Sequence, residues 1–329
     1  METNELSKNA KGGTELMMEA LYKNVDADLL SNFQIIPSRV RELKVDKVRV
    51  LWCHDLPDDP EAAHLANEGW RKFHKIVFVS YYQRQAYINK FKIPFSRTYV
   101  LQNAITPFSA PDEGNRRTGP IRIVYHTTPH RGLEILVPVF EKMAETQKDI
   151  QLHVFSSFDI YGWPERNKPY ASLFERIKMH PQMKYYGSVN HDMIRERLPE
   201  MHIFAYPSIW PETSCISLME AMSSSLICVH PDLAALPETG ANWTAMYPYH
   251  ENPNAHGKEF AHMLTNVVET IRNNPEHISG HLKGQKEYVD LFYSWDMRRV
   301  GWESFLNSIK DLPREFEKST TQKFVYEVR

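Results

Sequence analysis

The chain has 329 residues, a formal net charge of −2 and a hydrophobic content of 42%. This length predicts two domains, the near-neutral charge argues against nucleic-acid binding, and without an apolar run of about 18 residues we expect no transmembrane segment. The first residues do not form a secretory signal, so we expect a cytoplasmic protein. Cys53, Cys215 and Cys228 have no metal-binding spacing, and we expect them to be reduced thiols.

Short apolar segments alternate with helical segments in the first third of the chain. The pattern predicts a helix over 14–22, and a helix over 80–91 that Ser80 caps and that ends before Pro94. Buried parallel strands rich in Val, Ile, Phe and Leu are predicted at 33–40, 48–55, 75–80 and 98–104. No strand pattern precedes Gly12, so this domain is expected to be trimmed.

A second alternating series follows residues 109–119, whose Pro, Gly and charges predict a linker. Further strands are predicted at 121–126, 152–156, 184–189, 202–206 and 226–229, helices at 133–146, 170–178, 191–198, 258–273 and 295–310, and an edge strand at 324–328. Alternating units on both sides of a linker predict an α/β protein with two facing, doubly wound Rossmann-like domains. The expected division is 1–108, linker 109–119, 120–294, and a segment 295–329 that crosses back to the first domain.

Two carboxylates in the segment 207–222 are the main candidates for function. Glu212 follows the predicted strand 202–206 and Glu220 comes eight positions later. Open α/β sheets bind ligands beyond the carboxyl ends of their strands. We expect a helix with Thr213 or Ser214 as its N-cap, so that the amides of Ser214, Cys215 and Ile216 face the same ligand as Glu212. Spacing alone also fits a first-turn Glu followed by a solvated helix Glu.

Two segments of the first domain could contact a ligand. Gly12-Gly13 precedes a helix, where paired glycines let the backbone approach a phosphate, although taken alone the pair is more often a flexible turn. His54 ends a predicted strand and is either a cleft residue or a structural histidine. The acids Asp55, Asp58 and Asp59 could suggest a divalent-metal site, but acids of this kind are common in turns and N-caps.

Other candidates lie in the second domain or on polar stretches of either. Arg131 follows the first strand of the second domain and could clamp a diphosphate, or be a solvated turn residue. Aromatic residues in polar neighbourhoods, among them Tyr81, Tyr82, Trp163 and Trp210, suit carbohydrate or interface contact.

Taken together, these segments resemble the family 4 retaining glycosyltransferases of GT-B architecture. The resemblance rests on an ordered series: Gly12-Gly13, His54, Ser80 after Phe78-Val79, Val100 to Ile105 as the interdomain strand, Arg131-Gly132-Leu133, Tyr186 to Val189, the E-x7-E segment Pro207 to Met222, and Leu236 to Thr239. It spans residues 11–240 in order.

The resemblance implies a role for each matching residue. Catalytic positions would be Glu212, which contacts the donor sugar, and His54, which lies near the transferred sugar. The donor would also be bound by Gly12, Gly13, Arg131, His126, the amides of Ser214, Cys215 and Ile216, and Glu220, which holds the ribose hydroxyls. A nucleoside-diphosphate sugar would donate to an acceptor hydroxyl of a glycan or glycoconjugate with retention of configuration, without a metal or other cofactor.

Besides the missing first strand, the sequence departs from the family pattern at three places. His126 stands where the family has an Arg, Arg131 stands where it has a Lys, and Ser223-Ser224-Ser225 replaces a Gly-x-Pro turn. An active retaining glycosyltransferase is the leading hypothesis. The alternative is a glycosyltransferase-like protein that binds nucleotide sugars or glycans without turnover. A GT-B epimerase or phosphorylase is a third possibility, and the phosphorylase has no lysine context for a pyridoxal cofactor.

Overall fold

The computed structural model describes residues 12–112 and 119–314. Residues 113–118 of the predicted linker and the predicted strand at 324–328 lie outside this range. The described chain forms two compact units, one of residues 12–104 with 293–314 and one of residues 105–112 with 119–292.

The secondary structure alternates between strands and helices in both units. The strands are β1 (Phe33–Pro37), β2 (Val48–Cys53), β3 (Lys75–Phe78), β4 (Thr98–Val100), β5 (Ile121–Tyr125), β6 (Ile150–Val154), β7 (Met183–Tyr185), β8 (Ile203–Ala205), β9 (Ile227–Pro231) and β10 (Ala245–Tyr247). The α-helices are α1 (Gly13–Asn24), α2 (Ala27–Leu30), α3 (Tyr81–Phe91), α4 (Leu133–Ala144), α5 (Ala171–Met179), α6 (His191–Arg197), α7 (Ile216–Ser223), α8 (Leu236–Gly240), α9 (Pro253–Asn273), α10 (Pro275–Phe292) and α11 (Trp295–Ile309). Within the described ranges, no helix is both long and apolar enough to cross a membrane.

The first unit contains a parallel sheet in the order β1-β2-β3-β4. All residues of β1 and β2 are buried, which explains their continuous apolar sequence. The strand predicted at 33–40 ends at Pro37, because Ser38 has a φ of 56°. Trp302 of α11 packs edge-on against Trp52 of β2 at a ring distance of 4.8 Å, a contact that typically contributes about 0.5–1.5 kcal/mol beyond burial.

The second unit contains a six-stranded parallel sheet in the order β10-β9-β8-β5-β6-β7. The chain proceeds outward from β5 to β6 and β7, and then returns so that β8 pairs with the other side of β5. The order therefore reverses between β5 and β8, and ligands of open α/β sheets bind at such a reversal. Both units are α/β with parallel sheets, so the predicted Rossmann-like fold class is confirmed.

Several boundaries differ from those that the sequence predicts. The strand expected at 184–189 ends at Tyr185, and Gly187 has a φ of 68°. Helix α9 begins at Pro253 because the Asn252 side chain caps it. Helix α10 and strand β10 were not predicted, since α10 contains two glycines, Gly280 and Gly284, and β10 has only three residues.

Candidate active site

The loops after β5 and β8 lie in contact at the point where the strand order of the second unit reverses. Gly132, between the loop and α4, has a φ of 124°, and a Cβ atom at this position would lie 2.1 Å from the carbonyl oxygen of Pro207. Only glycine fits both the backbone conformation and this close approach. The contact fixes Arg131, on one loop, relative to Glu212, on the other.

Arg131, Glu212 and Tyr206 form the centre of the site. Glu212 is 4% exposed, and its Oε1 atom accepts hydrogen bonds from Nη1 of Arg131 and from the hydroxyl of Tyr206. Burial lowers the pKa of Arg131, but Glu212 raises it, and the net result lies above the usual value. Arg131 is therefore a permanent cation paired with a buried carboxylate.

The guanidinium of Arg131 keeps hydrogen-bonding capacity for a ligand. Its Nε atom donates to Oγ1 of Thr128 at 3.1 Å, and Nη1 donates to Glu212. An arginine has five N–H groups in a planar fork, and in the described part of the chain no further acceptor binds the remaining ones. The side chain is 20% exposed, so a ligand could reach these groups.

The segment between Glu212 and α7 differs from the sequence prediction. The predicted N-cap at Thr213 or Ser214 is wrong, because α7 begins at Ile216 with Cys215 as its N-cap, and no side chain caps it. The first helical bond runs from Met219 to the Cys215 carbonyl, which leaves the preceding residues in a loop. The Ser214 hydroxyl oxygen is buried there and has no hydrogen-bond partner among the described residues.

Glu220 lies on the inner face of α7, so the interpretation as a solvated helix residue is wrong. It is 6% exposed. Its Oε1 atom is 2.6 Å from Nε2 of His191, and its Oε2 atom is 3.7 Å from Nε2 of His126. Burial raises the pKa of Glu220, but the neighbouring imidazoles of His126 and His191 outweigh this effect and lower the pKa to about 2. Its carboxyl group is therefore ionised at physiological pH.

This lowered pKa predicts a pH dependence of stability. Because the folded pKa of Glu220 lies below the usual 4.5, its contribution of about 3 kcal/mol is complete above pH 4.5 while His191 is protonated, and it is lost as the pH falls toward 2. Replacing Glu220 with Gln should flatten the unfolding free energy over this range. Chemical denaturation at several pH values measures it, and parallel curves for both proteins would contradict the assignment.

Aromatic side chains surround the Arg131–Glu212 pair. The ring of Trp210 lies 6.0 Å from the guanidinium carbon of Arg131 and packs against His130, which stacks on Phe158. Trp210 is 41% exposed. Sequence reasoning noted Trp210 only as an aromatic residue in a polar stretch, and it missed Tyr206 and His191. For Tyr206, the one signal in the sequence was its position at the end of a predicted strand, where ligands of α/β sheets bind.

Gly12, Gly13 and His54 are the candidate site residues of the first unit. Gly12 is the N-cap of α1 with a φ of −76°, a conformation open to any residue. The backbone N–H of His54 donates to Oγ of Ser38 at 2.8 Å, and its ring packs on Trp52 at 4.5 Å. Burial lowers the pKa of His54 to about 3, so the imidazole is neutral.

The acids and cysteines have structural explanations. Asp59 caps the 3-10 helix Pro60–Leu65, and Asp58 pairs with Lys90. Cys53, Cys215 and Cys228 are all buried free thiols. Burial raises the pKa of Cys215 well above its usual value, which makes this thiol unreactive.

Residues 122–266 match the family Glycosyl transferases group 1. This range covers less than half of the chain but contains Arg131, Glu212 and Glu220. A human phosphatidylinositol N-acetylglucosaminyltransferase subunit is 24% identical over 165 residues, 50% of this chain and 33% of that protein. The phosphatidylinositol N-acetylglucosaminyltransferase gpi3 subunit of Schizosaccharomyces pombe is 20% identical over 227 residues, 67% of this chain and 45% of that protein. The chain thus spans less than half the length of either relative.

Solved structures share the fold. The crystal structure of Anabaena HepE in complex with UDP and glucose aligns with a TM-score of 0.70 at 13% identity, covering 92% of this chain and 98% of that one. A glycosyltransferase from Rickettsia africae aligns with a TM-score of 0.65 at 14% identity, covering 94% and 85% of the two chains. These similarities show a GT-B fold and, with the matched family, support a glycosyltransferase.

Proposed function

We propose that the protein is a retaining, family 4 glycosyltransferase that moves a sugar from a nucleoside diphosphate to an acceptor hydroxyl. The observation that carries this proposal is the ion pair between Arg131 and the buried Glu212 at the point where the strand order reverses. The pair presents a cation for a diphosphate beside a carboxylate for sugar hydroxyls. A nucleotide sugar carries these two groups on either side of the bond that breaks.

Each residue of the second unit has a role in this proposal. Arg131 bridges Glu212 and the diphosphate, and it stabilises the charge that develops on the leaving group. Glu212 binds the sugar, with Ser214, Cys215 and Ile216 beside it, and Glu220 binds the ribose. His126, which lies beside Glu220, is a further donor-binding candidate. The roles of Gly12, Gly13 and His54 stay predictions.

The electrostatics of the two carboxylates support transfer rather than hydrolysis by an acid/base pair. A glycosidase needs one carboxylic acid with a raised pKa to protonate the leaving oxygen. The pKa of Glu220 is lowered to about 2, and Glu212 forms an ion pair with Arg131. Both are therefore proposed as binding groups, and the departing phosphate assists attack on the same face of the sugar.

Arg131 and the amino-terminal amides of α7 supply the positive charge that a metal would otherwise provide. We therefore propose metal-independent transfer and expect activity to continue in the presence of a chelator. The curated relatives and HepE suggest UDP-N-acetylglucosamine and UDP-glucose as the first donors to test. A glycan or glycoconjugate as the acceptor and a cytoplasmic location stay predictions.

Donor turnover, followed by nuclear magnetic resonance, tests the function. Each donor of a panel of UDP-, GDP- and ADP-sugars is incubated with the protein and candidate glycan acceptors. We expect release of one nucleoside diphosphate and a product with the anomeric configuration of the donor. An inverted product would contradict the retaining mechanism. Tight donor binding without release would favour the alternative, a binding protein without turnover.

A further inference from the structure

The side chain of His191 contacts the Glu220 carboxylate from the solvent side. His191 is the first residue of α6, whose start is fixed by the Asn190 side chain accepting from the Met193 amide at 2.9 Å. Its Nε2 atom lies 2.6 Å from Oε1 of Glu220. The His191 side chain is 43% exposed, whereas that of Glu220 is 8% exposed. A solvent-accessible imidazole therefore holds a buried carboxylate.

The two oxygens of Glu220 face different imidazoles. Oε1 lies against His191, and Oε2 lies 3.7 Å from Nε2 of His126, which is longer than a hydrogen bond. Without His191, the carboxylate would therefore lose its shorter contact and could rotate about its terminal bond. A carboxylate that reads two vicinal hydroxyls must keep a fixed orientation, and partners of this kind provide it.

We propose that His191 is a positioning residue that orients Glu220 for recognition of the nucleotide ribose, and that it makes this recognition depend on pH. The proposal rests on the proposed function, since it takes Glu220 as the ribose-binding group. His191 lies on α6, outside the loops after β5 and β8, and in this proposal it controls the affinity for the nucleotide.

The pH dependence follows from the charges around His191. Glu220 faces it from α7, with His126 beyond, while Arg195 and Asp192 lie on its own helix and the uncharged Phe108 ring packs edge-on. The hydrogen bond with Glu220 raises the pKa of His191 above 6.5. Protonated His191 therefore holds Glu220 at low pH, and the charged contact is lost as the pH rises through this raised pKa.

The test compares nucleotides with and without ribose hydroxyls. Isothermal titration measures the affinities of UDP, GDP and ADP and of their 2′,3′-dideoxy forms for the wild type and for Glu220→Gln, His191→Ala and His191→Gln. The ratio of the two affinities isolates ribose recognition, because both forms carry the same base and diphosphate. Any titration of the phosphates or a general loss of folding affects both forms alike.

The expected results separate the two claims. His191→Ala should lower the ribose-to-dideoxy ratio on the order of tenfold and leave dideoxy binding unchanged. In the wild type the ratio should fall as the pH rises above 6.5, through the raised pKa of His191. His191→Gln keeps an N–H donor but does not titrate, so its ratio should be substantial and constant.

Two outcomes would overturn the proposal. If Glu220→Gln lowers the ratio but His191→Ala keeps or raises it, the proposed function stands and the role of His191 is wrong. If no nucleotide binds, or if the wild type binds both forms equally, the ribose-binding role of Glu220 fails and the role of His191 fails with it.

Discussion

Replacing Glu212 with Gln should lower kcat/KM for donor turnover by at least about 100-fold, the loss typical when one preorganised hydrogen-bonding group is removed from an active site. The neutral amide no longer compensates Arg131, and it binds sugar hydroxyls less strongly than a carboxylate does. Steady-state kinetics with the donor identified in the panel measures the change. Activity within a few-fold of the wild type would contradict the sugar-binding role.

Loss of folding has to be separated from loss of chemistry in this experiment. Removing one partner of a buried pair typically costs about 3–5 kcal/mol, so the double variant Arg131→Gln, Glu212→Gln is needed, in which both charges are absent. We expect it to be more stable than the single variant yet equally inactive. Glu141→Gln, which breaks an exposed pair with Arg176, is the matched control and should change stability by less than about 1 kcal/mol.

Replacing Gly132 with Ala should destabilise the protein by about 2–5 kcal/mol. The added methyl group meets the Pro207 carbonyl at 2.1 Å, and the φ of 124° is itself unfavourable for alanine. To relieve the overlap, the loops after β5 and β8 must separate, which also moves Arg131 away from Glu212. We therefore expect a loss of donor turnover in the fraction that remains folded. Denaturant unfolding measures the first effect and kinetics the second.

Gly280→Ala is the matched control for this substitution. Gly280 lies within α10 and has no atom within 4 Å of an added Cβ. Alanine in an exposed helical position should stabilise the protein by about 0.5–1 kcal/mol. If Gly132→Ala is as well tolerated as Gly280→Ala, the contact between the two loops does not hold the site together.

The sequence predicts the strands well because parallel strands bury both faces and leave continuous apolar runs, as in β1 and β2. It also predicts that Arg131 and Glu212 each follow a strand. It does not predict that they touch, because 81 residues separate them and their meeting depends on β8 pairing with β5. That pairing results from the packing of the whole unit and leaves no local pattern.

The surroundings of Glu220 could not be predicted for a similar reason. Spacing placed it two turns after Glu212 on a helix, but which face of that helix is buried depends on how α7 packs against β9 and α10. The sequence placed His191 only at the start of a predicted helix. Its contact with Glu220 depends on the position of α6 in the folded unit, which no local pattern shows. Helix α10 was missed because its glycines weaken the helical pattern.

Titration of nucleoside diphosphates against the protein tests the central claim most directly, that the Arg131–Glu212 site binds a nucleotide sugar. At one hundred times its Kd, a ligand stabilises the native state by about 2.7 kcal/mol. We predict that one of UDP, GDP and ADP raises the Tm of the wild type, and that the double variant Arg131→Gln, Glu212→Gln, although folded, no longer responds. No shift with any of them, or an equal shift in the double variant, would contradict the account.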